Sequence, residues 1–148
     1  LVIYIDADAS PVKSIVIEEA AAFQVKSVFV FSFANHLTLE GEWVETIMVD
    51  RAFQSADLYI VNHAKPGDLV VTDDYGLAGL ILGRGCLAIS SRGKEYTNEN
   101  IDAMLSMRHH AQKARLAGRR TKGPKAMSSE NEYFFRSVLR NILQRNTL

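Results

Sequence analysis

With 148 residues, 47% of them hydrophobic and 23% charged, the chain has the size and proportions of one ordinary domain that buries its own core, which excludes a fibrous or wholly disordered protein. The longest strongly apolar stretch, Val28 to Phe33, is far short of the ~20 residues that span a bilayer. No charged-then-apolar leader opens it, and the lone cysteine, Cys86, sits in the apolar run Cys86-Leu87-Ala88-Ile89. A soluble cytoplasmic protein with a buried, inert thiol and no membrane partner is expected. The formal charge of zero hides a division. Residues 1–102 hold seven Lys/Arg against fifteen Asp/Glu, and residues 103–148 hold ten against two. Either the basic segment binds a polyanion or it packs near the acidic half and neutralises it; the two are compatible.

Val2 to Ile5 is an apolar run ending in Asp6, as a strand buried on both faces of a parallel sheet would read. Ser10 as N-cap and Pro11 as first helical residue then predict a helix to Gln24, its inner face Val12, Ile15, Val16, Ala20 and Phe23. Ser27 to Phe33 reads as a second strand, Ala34 to Glu45 as a loop, and Thr46 to Val49 as a short third strand. A helix from about Ser55 to Ala64 follows. Lys65-Pro66-Gly67-Asp68 is a turn signal ahead of a buried strand, Leu69 to Thr72, which ends in Asp73-Asp74. Tyr75 to Leu82 predicts a helix, broken by Gly83-Arg84-Gly85 before the strand Cys86 to Ile89. This strand-helix alternation implies an α/β, three-layer fold: a mostly parallel central sheet flanked by helices, one domain over 1–148.

Thr97 or Asn98 can cap a further helix, with Ile101, Met104 and Leu105 facing inward, that runs on towards Leu116. The stretch Ala117 to Ser128 is polar and broken by Gly118, Gly123 and Pro124, so a basic loop is expected. Ser129 and Glu132 have capping-box spacing ahead of a closing helix to about residue 145, with the stripe Phe135, Val138, Leu139, Ile142 and Leu143.

The chemistry concentrates in aspartates. In an open parallel sheet the ligand crevice lies beyond the carboxyl ends of the strands, where Asp6, Asp8, Asp73 and Asp74 all fall. Gathering carboxylates is costly unless a cation neutralises them, and hard oxygen donors select Mg²⁺ or Mn²⁺. Each acid also has a structural reading: Asp6 and Asp8 as turn or cap residues ahead of Pro11, Asp57 as a favourable charge at a helix start, Asp73 or Asp74 as the cap of the next helix. A metal held there could activate water for phosphodiester hydrolysis without a side-chain nucleophile. The segment from Arg108 to Lys125, with Lys113, Arg115, Arg119, Arg120 and Lys122 between, holds seven cations and no acid, enough to engage a nucleic-acid backbone. His109 and His110 read as exposed polar residues more readily than as ligands, and His36 and His63 are weaker candidates. There is no glycine-rich phosphate loop.

The blocks Tyr4-Ile5-Asp6-Ala7-Asp8-Ala9-Ser10-Pro11-Val12-Lys13, Ala56-Asp57, Gly67-Asp68-Leu69-Val70-Val71-Thr72-Asp73-Asp74 with Leu77-Ala78, Arg92-Gly93 and Thr121-Lys122-Gly123-Pro124 together resemble the bacterial YaiI/YqxD family, in order and spacing, over nearly the whole chain. That family resembles in turn the PIN-like nuclease fold, whose members typically bind Mg²⁺ or Mn²⁺ with clustered Asp/Glu and cut RNA. The resemblance implies Asp6, Asp8, Asp57 and Asp74 as site acids, with Asp6, Asp8 and Asp74 on the metal. Asp74 of the Thr72-x-Asp74 pattern is favoured over Asp73, and Thr72 and Asp73 take secondary places. Two positions depart: Ser10 stands where the family usually has cysteine, and His109 follows Met107-Arg108 where an acid is common.

Two rivals stand beside a metal-dependent ribonuclease. Asp6-x-Asp8 and Gly67-Asp68 also mimic haloacid-dehalogenase phosphatases, but Gly67-Asp68 precedes its strand here, which puts Asp68 at the opposite end of the sheet. The other is a non-catalytic RNA- or ribosome-associated binding module that relies on the basic segment alone.

Overall fold

The apolar run at the N-terminus becomes the centre of the sheet. In the computed structural model, which describes residues 1–8, 10–32, 39–50, 55–106 and 126–146, β1 (Ile3–Asp6) is flanked on one side by β2 (Ser27–Phe31) and β3 (Val44–Met48). On the other side lie β4 (Leu69–Val71), β5 (Leu87–Ile89) and β6 (Glu95–Tyr96), in the order β3-β2-β1-β4-β5-β6. All pairings are parallel except β5 with β6. The chain builds outward from β1 in one direction, then returns to its other edge, so the topological switch falls between β1 and β4.

Alternation along the strands sorts the core into two halves. Ile3, Ile5, Phe29, Phe31, Leu69 and Val71 pack under α1 (Lys13–Phe23) and the closing helix α5 (Ser129–Asn146). Val28, Val30, Val70 and Ala88 pack under α2 (Ala56–His63) and α3 (Tyr75–Gly83), joined by Ile101 from α4 (98–106). The expected three-layer, mostly parallel α/β architecture is therefore what the chain adopts.

Several boundaries differ from the expectation. α1 starts at Lys13 after a turn at Pro11-Val12, and no side chain caps it. Ser10 Oγ accepts only a long bond from the Val12 amide, 3.5 Å, so Ser10 belongs to the turn and is not the N-cap. β2 ends at Phe31, two residues early. β3 begins at Val44, inside the expected loop, because the Trp43 carbonyl takes both the Ser27 amide (2.8 Å) and the Ser27 hydroxyl (3.1 Å), which starts the pairing there. β6 went unforeseen: a two-residue strand is too short for a period, and it forms because Gly93, at φ +88°, turns the chain back so that the Ser90 amide reaches the Lys94 carbonyl at 2.9 Å.

Caps were legible as a residue type and less so by position. Thr97 opens α4 by a reciprocal pair, its hydroxyl taking the Asn100 amide (3.2 Å) and its amide donating to Asn100 Oδ1 (2.9 Å). The box ahead of α5 is Ser128 with Asn131, not Ser129 with Glu132. Ser128 Oγ accepts from the Asn131 amide (3.1 Å) and Asn131 Oδ1 from the Ser128 amide (3.2 Å). Asn serves here in place of the Glu or Gln that the pattern names, which is why the spacing one residue on looked better.

α5 is anchored by more than its apolar stripe. Glu19 of α1 is buried at 3% exposure; Arg136 Nη1 lies 2.9 Å and Arg140 Nη2 2.7 Å from its Oε1, and Arg140 Nε donates to Oε2 at 3.1 Å. Arg136 also meets Glu18 at 2.8 Å, and Arg145 meets Glu95 at 3.1 Å. Three cations of the basic C-terminal part thus neutralise acids of the N-terminal part, one of the two roles read from the charge division. No described helix is long and apolar enough to cross a membrane.

Candidate functional site: an acidic cleft at the topological switch

β1 and β4 run side by side, with Ile5 opposite Val71. The next residues, Asp6 and Thr72, therefore meet across the switch, and Thr72 Oγ1 donates to Asp6 Oδ2 at 3.2 Å. Thr72 is 2% exposed and fixed from three sides: its amide donates to the Ile89 carbonyl (3.0 Å), its hydroxyl accepts from the Asp74 amide (3.0 Å), and its carbonyl accepts from the Tyr96 hydroxyl (3.1 Å). Burial pushes the Tyr96 phenol well up, so it stays a donor.

Asp6, Asp8, Ser10, Thr72, Asp73, Asp74, Tyr75 and Ser91 line a single cleft of about 460 Å³ here. Within it each acid has its own attachment. The Asp8 carboxylate accepts from the Ser32 amide (3.0 and 3.1 Å) and, by a short bond, from the Ser32 hydroxyl. Asp73 accepts from the Ser91 amide (2.9 Å) and hydroxyl (2.5 Å). Asp74 is the N-cap of α3, its Oδ1 taking the Gly76 and Leu77 amides at 2.9 and 3.3 Å. Asp6 takes the Thr72 bond on Oδ2 and none on Oδ1 among the described residues.

Burial raises the Asp6 carboxyl above its ordinary value; the Thr72 hydroxyl pulls it part of the way back, and the charges of Asp8, Asp74 and Asp57 raise it further. Asp57, in the first turn of α2 with Oδ1 on the Leu58 amide (3.0 Å), contributes to this field without lining the cleft. The resemblance-implied acids are thus brought together as three wall residues and one neighbour, with Thr72 and Asp73 joining them.

Among the described residues, Lys13 at the start of α1 is a cation close to Asp8. Its Nζ donates to the Ser10 carbonyl (2.8 Å) and stands 6.0 Å from the Phe31 ring centroid; desolvation lowers its pKa and the Asp8 charge raises it. Sequence reading passed over Lys13 as an ordinary helix residue, although it ends the same block as Asp6 and Asp8. It also passed over Ser32 and Ser91, which hold Asp8 and Asp73. Isolated serines carry no spacing signal.

Asp68 is placed at the other end of the sheet, as its position before the strand implied. Its Oδ1 accepts from the Val2 amide (3.0 Å) and its Oδ2 from the Lys65 amide (2.9 Å), a turn-closing role with no part in the cleft. His63 stacks on Tyr59 at 3.8 Å and bonds its carbonyl at 2.8 Å. Arg108, Lys113, Arg115, Arg119, Arg120, Lys122 and Lys125 lie outside the described residues, as do His36, His109 and His110.

As the side chains stand, no three His, Cys, Asp or Glu among the described residues converge as ligands of one ion. The donor set still fits Mg²⁺ or Mn²⁺ in kind: hard carboxylate oxygens, like charges raising Asp6, and an Asp6 oxygen that takes no hydrogen bond among the described residues.

A mostly parallel α/β sheet with acids of two strands meeting at its switch point defines the class of protein. The chain belongs to the YaiI/YqxD family, described as "Uncharacterized BCR, YaiI/YqxD family", whose pattern it matches over residues 4–145. It is 44% identical over 142 residues to a UPF0178 protein of Bacillus cereus, covering 95% of this chain and 97% of that one. Similar UPF0178 proteins of Bacillus thuringiensis and Bacillus anthracis are 42% identical with the same coverage. Among solved structures, a mutant of Rae1 (YacP) from Bacillus subtilis aligns with a TM-score of 0.43 at 21% identity, over 98% of this chain and 99% of that one.

Proposed function

We propose that the protein is a Mg²⁺- or Mn²⁺-dependent nuclease that hydrolyses phosphodiester bonds, preferably of RNA, in the Asp6–Asp8–Asp74 cleft. The observation that carries this reading is Asp6: a carboxylate at the switch point, raised by burial and by three neighbouring acids, with one oxygen uncommitted among the described residues. Asp6, Asp8 and Asp74 would hold the ion. Once bound, it would neutralise the rim and supply the Lewis acidity that activates water and stabilises the leaving oxygen. The chain's own work is positional. Thr72 fixes Asp6 to β4 and the Asp74 backbone at once, Ser32 steadies Asp8, and Lys13 offers the cleft a positive charge for a phosphate oxygen.

The test is cleavage of mixed RNA and DNA substrates with and without Mn²⁺. Asp6→Asn and Asp74→Asn are each expected to lower the rate at least about a hundredfold while leaving RNA binding in place. Asn retains the cap of α3, so a loss in Asp74→Asn reads on the carboxylate charge and not on a frayed helix. Activity that survives both substitutions would sink the proposal.

A second reading, RNA binding without catalysis, draws on the hydrogen bonds that Asp8 and Asp74 already make within the fold. Under it both substitutions are silent, and neutralising the cations between Arg108 and Lys125 abolishes binding.

A further inference from the structure

The Arg92-Gly93 block has no part in the acidic cleft, yet it borders it. Ser91, on the cleft wall, binds Asp73; the next residue, Arg92, lines a second groove of about 690 Å³ between the β5–β6 turn and α5. The turn is pressed against the helix. A Cβ at Gly93 would stand 2.8 Å from Phe134 Cδ1 and 3.1 Å from the Phe135 backbone, so only glycine lets the chain pass here.

Two features of this groove are unexplained by folding. Phe134 is 54% exposed, and Tyr133 beside it 75%, on a helix that buries Phe135 and Leu139 completely. Arg92 and Lys94 make no ion pair among the described residues; the Arg92 guanidinium has only Asn131 Oδ1, at 3.4 Å. Glu95, on the same wall, is already neutralised by Arg145. Asn141 lines the helix side, together with Asn131, whose Oδ1 is taken by the Ser128 box and by Arg92 and whose Nδ2 is left to donate among the described residues. An exposed aromatic ring beside uncommitted cations and side-chain amides is the chemistry that recognises single-stranded nucleic acid: a ring for a base, cations for its phosphate, amides for its edge.

We propose that this groove is a binding site for the single-stranded RNA strand that continues out of the acidic cleft, with a base on Phe134 and the adjoining phosphate at Arg92 and Lys94. The choice of polymer rests on the nuclease reading; the site itself is tested by binding, independently of cleavage. The two cavities adjoin along the chain, since Ser91 lines the first and Arg92 the second. The positive turn also offsets the negative cleft, which by itself would repel a polyanion.

The experiment is fluorescence anisotropy with a labelled twelve-uridine RNA in EDTA, so that no cleavage intervenes. Phe134→Leu, which keeps an apolar side chain without a ring, and Arg92→Ala/Lys94→Ala are each expected to weaken binding on the order of tenfold. Phe134→Trp should bind at least as tightly as wild type. All should melt within a few degrees of wild type, since these side chains are half or more exposed or make one weak bond. Wild-type affinity in both Phe134→Leu and the double variant overturns the proposal, as does a wild-type protein that does not bind this RNA. If wild type fails to cleave RNA with Mn²⁺ while the groove variants still lose binding, the nuclease reading falls and the groove stands.

Discussion

Thr72 shows how much one hydroxyl can settle. It accepts from the Asp74 amide and donates to Asp6, so both sides of the switch are joined by one buried group. Thr72→Val, nearly the same in shape, would leave Asp6 without its stabilising donor and the half-buried Asp74 amide without its acceptor. A loss of about 1–3 kcal/mol is expected by chemical denaturation, with the Asp6 carboxyl rising further in an NMR titration. Asp6 itself predicts a trade-off. Its folded carboxyl lies above the unfolded value, so its ionisation opposes folding at neutral pH, and that cost fades as pH falls through the raised value to below the ordinary carboxylate range. In EDTA, Asp6→Asn should therefore melt a few degrees higher than wild type near pH 7 and lose that advantage in acid. Equal melting points at pH 7 would contradict the strain assigned to Asp6.

At the scale of elements, the closing helix is held by its stripe and by the Glu19 pair. Arginine hydrogen bonds, Arg140 first and then Arg136, hold the Glu19 carboxyl below its usual range against the opposing effect of burial. A depressed carboxyl contributes stability that is full above the unfolded value and disappears as pH falls through the folded one. Glu19→Gln should thus lower the melting point on the order of 5 °C near pH 7 and flatten the acid side of the stability profile, as differential scanning calorimetry over pH would show. The stripe of this helix was legible in the sequence, because period 3.6 is a property of the chain alone. So were the buried strands, each an apolar run closed by an acid or a turn. The start of β3 and the two-residue β6 were not, because each depends on a partner outside its own segment: Ser27 for Trp43, Ala88 and Ile89 for β6. The placing of Asp6, Asp8, Asp73 and Asp74 beyond the carboxyl ends of β1 and β4 was legible by position. That Asp8 faces Ser32 and Asp73 faces Ser91 was not, since a rotamer is chosen by tertiary neighbours.

Over the whole molecule, the uneven charge finds one structural use in the arginines of α5, which meet Glu18, Glu19 and Glu95. The acids of the cleft lie apart from these pairs. Among the described residues, the molecule thus places the acids that α5 neutralises on the α1 and β6 side, away from the acids gathered at the switch point.

The bond between Thr72 and Asp6 joins residues 66 positions apart. It closes only when β4 pairs with β1, across a stretch of chain that holds two strands and two helices. The cleft thus needs both ends of this stretch at once, β1 for Asp6 and β4 for Thr72. A nascent or fragmentary chain would carry the aspartates but not the pocket, which confines whatever chemistry they perform to molecules that have finished folding.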